Sequence, residues 1–243
     1  MSAQEVVPLA ISALALGISV YGIFERRNAA YAALRVRITE LLDRLAALAV
    51  DEQEYRYAHA DVPYDEIRNV VGSIQSRRLV PTYQAIALLE RLRSAARLPF
   101  SPPVRLTPQE HMAIAESLSI LRDLEPARAQ CEEAVIAAGS ATPLVRATVY
   151  HGYGRLLFAL GEVADGRAAY RTAIENYPDT ETGRWDRFNN YVDWLNEERA
   201  LEDGDPDEPL REAQRLAAEP TSWQAAARER LDEADPPEGA LES

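Results

Sequence analysis

The chain of 243 residues contains no lysine; all 26 of its basic residues are arginine. That absence removes Schiff-base chemistry, a P-loop lysine and the lysine of a kinase site together. A single cysteine, Cys131, excludes an internal disulfide and suits a reducing compartment. Only three histidines occur, His59, His111 and His151, and they are far apart, with no HExxH or CxxC spacing to hold a metal. Nucleophile-elbow, Walker and GxGxxG patterns are also missing; Gly152-Tyr153-Gly154 falls within a helical pattern and reads as packing. No alternating strand pattern of useful length appears. The chain reads as all-α, without cofactor, and not as an enzyme.

Positive charge is scarce overall, with 39 acidic residues against 26 arginines and a formal net charge of −13. Such a chain does not seek nucleic acid by counterion release. The charge is unevenly placed. Residues 1–100 hold 12 arginines and 11 acids, whereas residues 101–243 hold 14 arginines and 28 acids. An acidic half of this kind is a solvated face or a surface for a basic partner. The acidic run Glu202-Asp203-Gly204-Asp205 with Asp207-Glu208 lacks the spacing and the twelfth-position glutamate of a calcium loop, so it reads as a solvated turn.

What is present begins with residues 6–24, VVPLAISALALGISVYGIF, which carry no charge. At about 1.5 Å per residue this stretch spans nearly 30 Å, the thickness of a hydrocarbon core. Tyr21 and Phe24 suit the interfacial belt. A signal peptide would want a basic n-region, which MSAQE lacks; a buried core helix is the other alternative for so Ala-, Ser- and Gly-rich a segment. The expectation is a single transmembrane helix over 6–24 with residues 1–5 outside. Arg26, Arg27, Arg35 and Arg37 follow the span, so the positive-inside rule places the rest in the cytoplasm. Small pairs Ala13/Gly17 and Ala15/Ser19 would let two such helices approach. The absence of lysine with abundant Ala and Arg suits a GC-rich bacterial genome and hence a plasma (inner) membrane.

A membrane-proximal helical region is expected over 25–98. Tyr31, Leu34, Ile38, Leu41, Leu45 and Leu48 step by three and four residues, a heptad seam. The seam serves either a parallel homodimer or packing onto the chain's own next helices, which begin near Pro63 and Pro81. LPFSPPV, residues 98–104, then breaks the pattern and marks a boundary. Beyond it, Thr107-Pro108-Gln109-Glu110 is a capping box, and Thr142-Pro143 opens another helix without the matching acid.

Residues 150–178 and 111–139 align in a register of 39. The later copy carries Tyr150, Tyr153-Gly154, Leu157, Gly161, Tyr170, Ala173 and Pro178; the earlier carries His111, Ile114-Ala115, Leu118, Ala127, Cys131 and Ala134. The spacing exceeds the usual repeat length, and Ser140–Pro143 is read as a lengthened connection. These landmarks resemble those of the tetratricopeptide repeat, a helix-turn-helix unit that stacks into an α-solenoid. The resemblance implies a repeat domain over 105–233, with a degenerate third copy at Trp185–Leu201 and Pro209–Ala218, a cap helix at Ser222–Glu233 and a disordered acidic tail over 234–243. It also implies that Gly154 and Ala115 let paired helices approach and that Tyr170 and Cys131 fill the core between pairs.

Tetratricopeptide arrays bind a peptide or helix in a groove formed by the first helix of each pair. In that register the groove candidates are Met112, Glu116 and Ser119, then Thr148, His151, Arg155 and Phe158, then Asn189 and Asp193. The alternative for each is a solvated polar face whose ion pairs contribute little. His151 and Arg155, four apart, make a local positive spot that would orient an acidic or C-terminal peptide. The functional expectation is a membrane-anchored scaffold that binds another protein. Its rivals are a homo-oligomer assembled through span, stalk and repeats, and a subunit tethering a separate enzyme.

Overall fold

In a computed structural model, residues 3–59, 62–96, 105–219 and 221–234 are described, all but 3–20, 64, 65, 95, 96 and 232–234 with their side chains. Among them every regular element is an α-helix and there is no strand. Two compact units separate at Met1–Arg105 and Leu106–Ser243.

The first unit comprises α1 (Ala3–Ala58), α2 (Tyr64–Ser76) and α3 (Leu79–Ala96). Among the described residues no helix is long and apolar enough to cross a membrane. Most of the predicted span, its side chains 6–20, lies outside the described residues. Further along α1, the seam is used within the chain: Ile38, Leu41, Leu45 and Leu48 are buried, as are Ile67, Val71 and Ile74 of α2 and Ala85, Leu89 and Leu92 of α3. Both short helices pack on α1. The four buried seam side chains are therefore taken up by packing within the chain. The seam's next position is Glu52, buried where leucine would continue the pattern. Its carboxylate accepts from Arg78 Nη2 at 3.0 Å, Gln75 Nε2 at 2.9 Å and Arg56 Nη2 at 2.9 Å, which offsets the cost of burying it. This knot fixes the end of α1 to the α2–α3 turn.

The second unit runs α4 (Pro108–Ile120), α5 (Leu124–Ala138), α6 (Pro143–Ala159), α7 (Val163–Asn176), α8 (Glu181–Arg199), α9 (Asp207–Ala217) and α10 (Gln224–Ala234). Helices pack as consecutive pairs α4/α5, α6/α7 and α8/α9. Each second helix also meets the next first helix, and α10 lies on α8 and α9. Thr107 forms the reciprocal capping box with Glu110, Oγ1 accepting from Glu110 N and Glu110 Oε2 from Thr107 N. Thr142 makes no side-chain cap, but Pro143 occupies the first turn, where its missing N–H costs nothing. The third first helix starts at Glu181, earlier than Trp185, because Thr180 caps it through Gly183 N.

The register of 39 is reproduced bond for bond in the two turns. Asp123 N donates to Leu118 O and Glu162 N to Leu157 O, both at 2.9 Å; Arg122 N reaches Ser119 O and Gly161 N reaches Phe158 O. The connections preceding α6 and α8 are equally short. Extra length therefore comes from an added turn at the start of α6, not from Ser140–Pro143. Arg146 ties that turn down, with Nε on Asn176 Oδ1 at 2.9 Å and Nη1 on Ala141 O at 2.8 Å.

Helices α6 and α7 approach each other closely. A Cβ on Gly154 would lie 3.0 Å from the Tyr170 ring and 3.3 Å from Gly166 O, so the two helices touch along a glycine pair. Tyr170 is fully buried among Phe158, Trp194 and His151. Cys131 fills the equivalent position in the earlier pair, its Sγ 3.9 Å from Met112 Sδ, and burial pushes its thiol pKa up to about 12.

Gly161 ends α6 with φ +80°, and Arg122 holds the corresponding place with φ +63°. A left-handed conformation suits glycine and strains an L residue by about 1–2 kcal/mol. Arg122→Gly is therefore expected to stabilise the protein by about 1 kcal/mol, read as an increase in the denaturant midpoint. Gly161→Ala should move it the other way.

Candidate peptide-binding face

First helices of successive pairs, α4, α6 and α8, lie side by side, and α10 continues the row beside α8. Residues on these helices that escape the packing between pairs make a common polar face. Glu116, Thr148 and Arg155 are exposed there. His151, Asp186, Asn189, Asp193 and Glu197 are half-buried.

The sequence-based set divides in the structure. Met112 and Phe158 do not belong to the face: both are buried, Met112 against Cys131 and over Gly152, and Phe158 against Tyr170 and Gly166. Their apolar bulk is consumed by helix pairing. Ser119 is half-buried near the end of α4. Glu116, Thr148, His151, Arg155, Asn189 and Asp193 remain on the face.

Four of them, His151, Arg155, Asn189 and Asp193, are held by contacts that cross about forty positions of sequence. His151 Nε2–H donates to Asp193 Oδ2 at 3.0 Å, linking α6 to α8. Arg230 of α10 donates Nη1 to Asn189 Oδ1 at 2.6 Å and Nη2 to Asp193 Oδ1 at 3.2 Å. Arg155 Nε stands 3.9 Å from Glu197 Oε1, a loose pair with the arginine side chain 61% exposed. The positive spot expected around His151 and Arg155 is therefore neutralised by Asp193 and Glu197. With Glu116 and Asp186 added, four carboxylates face two arginines, and the face is acidic.

The carboxylates differ in environment. At Asp193 burial pushes the pKa up, but the His151 hydrogen bond and the charges of His151, Arg230 and Arg155 outweigh it and hold the carboxyl below its ordinary value. Burial raises Glu197, against the pull of Arg155. Burial likewise raises Asp186, His151 only partly offsetting it, and Asp186 has no hydrogen-bond or ion-pair partner among the described residues. Nothing in this arrangement sets a nucleophile beside a base. Among the described residues no group of three or more His, Cys, Asp or Glu side chains is placed to hold a metal ion. What the face offers is a row of acceptors and carboxylates on rigid helices, suited to cations and N–H donors.

Arg230, Glu197 and Asp186 were missed in the sequence. Glu197 and Asp186 share the helical face of Asn189 and Asp193 at spacings of three and four, a signal that could have found them. Arg230 joins only through the docking of α10, which no local pattern announces. Compared with known proteins, the chain matches no family model and no curated protein.

The unequal carboxylates give a signed pH dependence. A lowered pKa contributes stability above the unfolded value, near 3.8 for Asp193, and loses it as pH falls through the folded value. A raised one, as at Asp186, detracts from stability once the carboxyl ionises. At pH 7, Asp193→Asn is expected to destabilise by about 1–2 kcal/mol, and Asp186→Asn to raise the melting temperature. Both differences should shrink below about pH 4 in thermal melts across the pH range.

Proposed function

We propose that the chain is a helical-repeat adaptor, of the kind the tetratricopeptide resemblance suggests, that binds a segment of a partner protein on the face of α4, α6 and α8. The observation that carries this reading is the division of labour on those helices. Their apolar sides are consumed in pairing, while Glu116, Thr148, Arg155, Asn189 and Asp193 stay together on one side with acidic surplus. Rigid helices holding half-buried acceptors suit recognition of a segment bearing arginine or lysine, with charge-assisted bonds supplying register. The role is binding, and the face has no need of a cofactor. Self-association through the heptad seam has less to stand on, since Ile38, Leu41, Leu45 and Leu48 are buried where α2 and α3 pack.

We further propose that residues 6–24 anchor the chain in a plasma membrane with the repeat unit on the cytoplasmic side. The uncharged run supports this, and so does its described end. Tyr21, Ile23 and Phe24 are 68%, 59% and 42% exposed, an apolar patch costly in water and natural at a bilayer interface. Arg26 and Arg27 follow at once on the same helix.

Two experiments test these readings. Leu16→Arg with Ile18→Arg places two charges mid-run at about 2.5–3.5 kcal/mol each, and should move the protein from carbonate-washed membranes to the soluble fraction. Retention on the membrane would show that attachment lies elsewhere. For the face, Glu116→Arg with Thr148→Arg alters two exposed side chains and should reduce crosslinked capture of partner at least about fivefold without lowering the melting temperature. Glu175→Arg, on the exposed side of α7, should leave capture intact; equal loss in both variants would detach binding from this face.

A further inference from the structure

The last helix of the second unit is held by a small apolar contact and by Trp223 just ahead of it, whose ring lies 5.3 Å from Trp185 and 5.8 Å from Phe188. Among the side chains 224–231 of α10, only Ala227 and Leu231 are buried, in a cluster with Phe188 and Val192 of α8 and Ala213, Leu216 and Ala217 of α9. One long polar side chain completes the contact: Arg230, on Asn189 and Asp193. Just ahead of the helix, Ser222 donates N and Oγ to Glu181 Oε1 at 3.0 and 2.5 Å. The seating is incomplete. Thr221 Oγ1 and Trp223 Nε1 are buried without a hydrogen-bond partner among the described residues, a state that weakens docking because each has surrendered water for nothing. A helix of 11 residues has scant stability of its own, so α10 depends on this contact for its order.

The receiving side has anchors of its own beneath the apolar cluster it shares with α10. Asp193 is oriented from the opposite direction by His151 Nε2, and the C-terminal turn of α8 is fixed by Glu198, fully buried with Arg167, Trp194 and Asp205 N bonded to it. An apolar shelf beside a carboxylate oriented from α6 therefore remains when α10 leaves. Its chemistry is written in the helix that occupies it: a small residue, arginine three positions on, and leucine four positions on, which share one helical side.

We propose that α10 is a built-in ligand of the α8–α9 surface, and that a partner protein displaces it with an amphipathic helix presenting the pattern of Ala227, Arg230 and Leu231. This deepens the partner-binding reading and rests on it. The acidic surplus of the face, Asp186 unpaired and Glu197 loosely paired, favours an incoming helix richer in cations than α10, whose own charges include Glu229. Such a competitor satisfies what α10 leaves unsatisfied and so wins the exchange by differential affinity for the open state.

Two measurements on the full chain test this. Native-state hydrogen exchange should show the amides of α10 exchanging at least about tenfold faster than those of α8, because the cap opens without the unit unfolding. Equal protection of the two helices would make α10 an integral part of the fold and overturn the proposal. A labelled synthetic peptide of residues 221–234 is then titrated by fluorescence anisotropy into the parent chain and into Ala227→Glu/Arg230→Glu. The variant, with its own cap dislodged, should bind the peptide at least about tenfold more tightly than the parent, and a peptide carrying the same two changes should bind neither. A variant of unchanged helicity that fails to bind overturns the proposal; should the variant unfold, exchange in the parent chain decides. A parent chain that dimerises with α10 protected only in the dimer would give the surface to a second copy and equally overturn it. None of these failures touches the Glu116/Thr148 test, since neither residue contacts α10.

Discussion

The second unit depends on a carboxylate that has no access to water. Glu198 is fully buried, and both its oxygens are taken: Oε1 by Arg167 Nε at 2.6 Å and Trp194 Nε1 at 2.7 Å, Oε2 by Arg167 Nη2 at 2.7 Å and Asp205 N at 2.9 Å. A bidentate guanidinium offsets the loss of hydration that a lone buried charge would suffer, and holds the carboxyl below its ordinary pKa against the effect of burial. The bond joins three pieces at once: α7 through Arg167, α8 through Trp194, and the turn into α9 through Asp205. Gly204 completes the fit. A Cβ there would come within 1.8 Å of Glu198 O, so the acidic turn passes against the helix end only because that residue is glycine. The order of α8 that the polar face requires starts from this knot.

Trp194 connects the knot to the apolar core. Its ring stacks on Tyr170 at 5.9 Å and receives Arg171 over its face at 5.2 Å, while Tyr170 in turn meets Phe158 and His151. His151 thus has two jobs on one ring, packing against Tyr170 and donating to Asp193. Polar face and core are one continuous set of contacts here, and Asp193 on the face is oriented from beneath by His151. Asp193 in particular has a donor behind it, whereas Glu197 is only loosely paired and Asp186 is unpaired.

Local chemistry was legible in the sequence. The capping box at Thr107–Glu110, proline at the start of α6, the glycine of the α6/α7 contact and the buried places of Tyr170 and Ala173 follow from rules that act within a turn or a helical face. Long-range choices were not. Met112 and Phe158 sit at groove spacing, yet their volume is claimed by Gly152 and Gly166, whose open backbones lie on the neighbouring helix. Glu52 continues a leucine seam in the sequence and becomes a buried anchor only because Gln75 arrives from the end of α2 and Arg78 from the turn after it. His151 reads as positive charge until Asp193, 42 residues away, is placed against it. In every case the missing information was a partner supplied by tertiary packing, which periodicity cannot name.

One feature of the first unit bears on mechanics. From Ala3 to Ala58 α1 is a single helix of 56 residues, and its first buried side chain among those described is Ile38. From Ile23 to Ala58 this helix contains neither glycine nor proline, roughly 54 Å of rod with no such hinge where motion could dissipate. Its near end and the packed Ile38–Leu48 segment therefore turn together. A twist or tilt imposed at Ile23 would arrive at α2 and α3 as a displacement of the seam they grip.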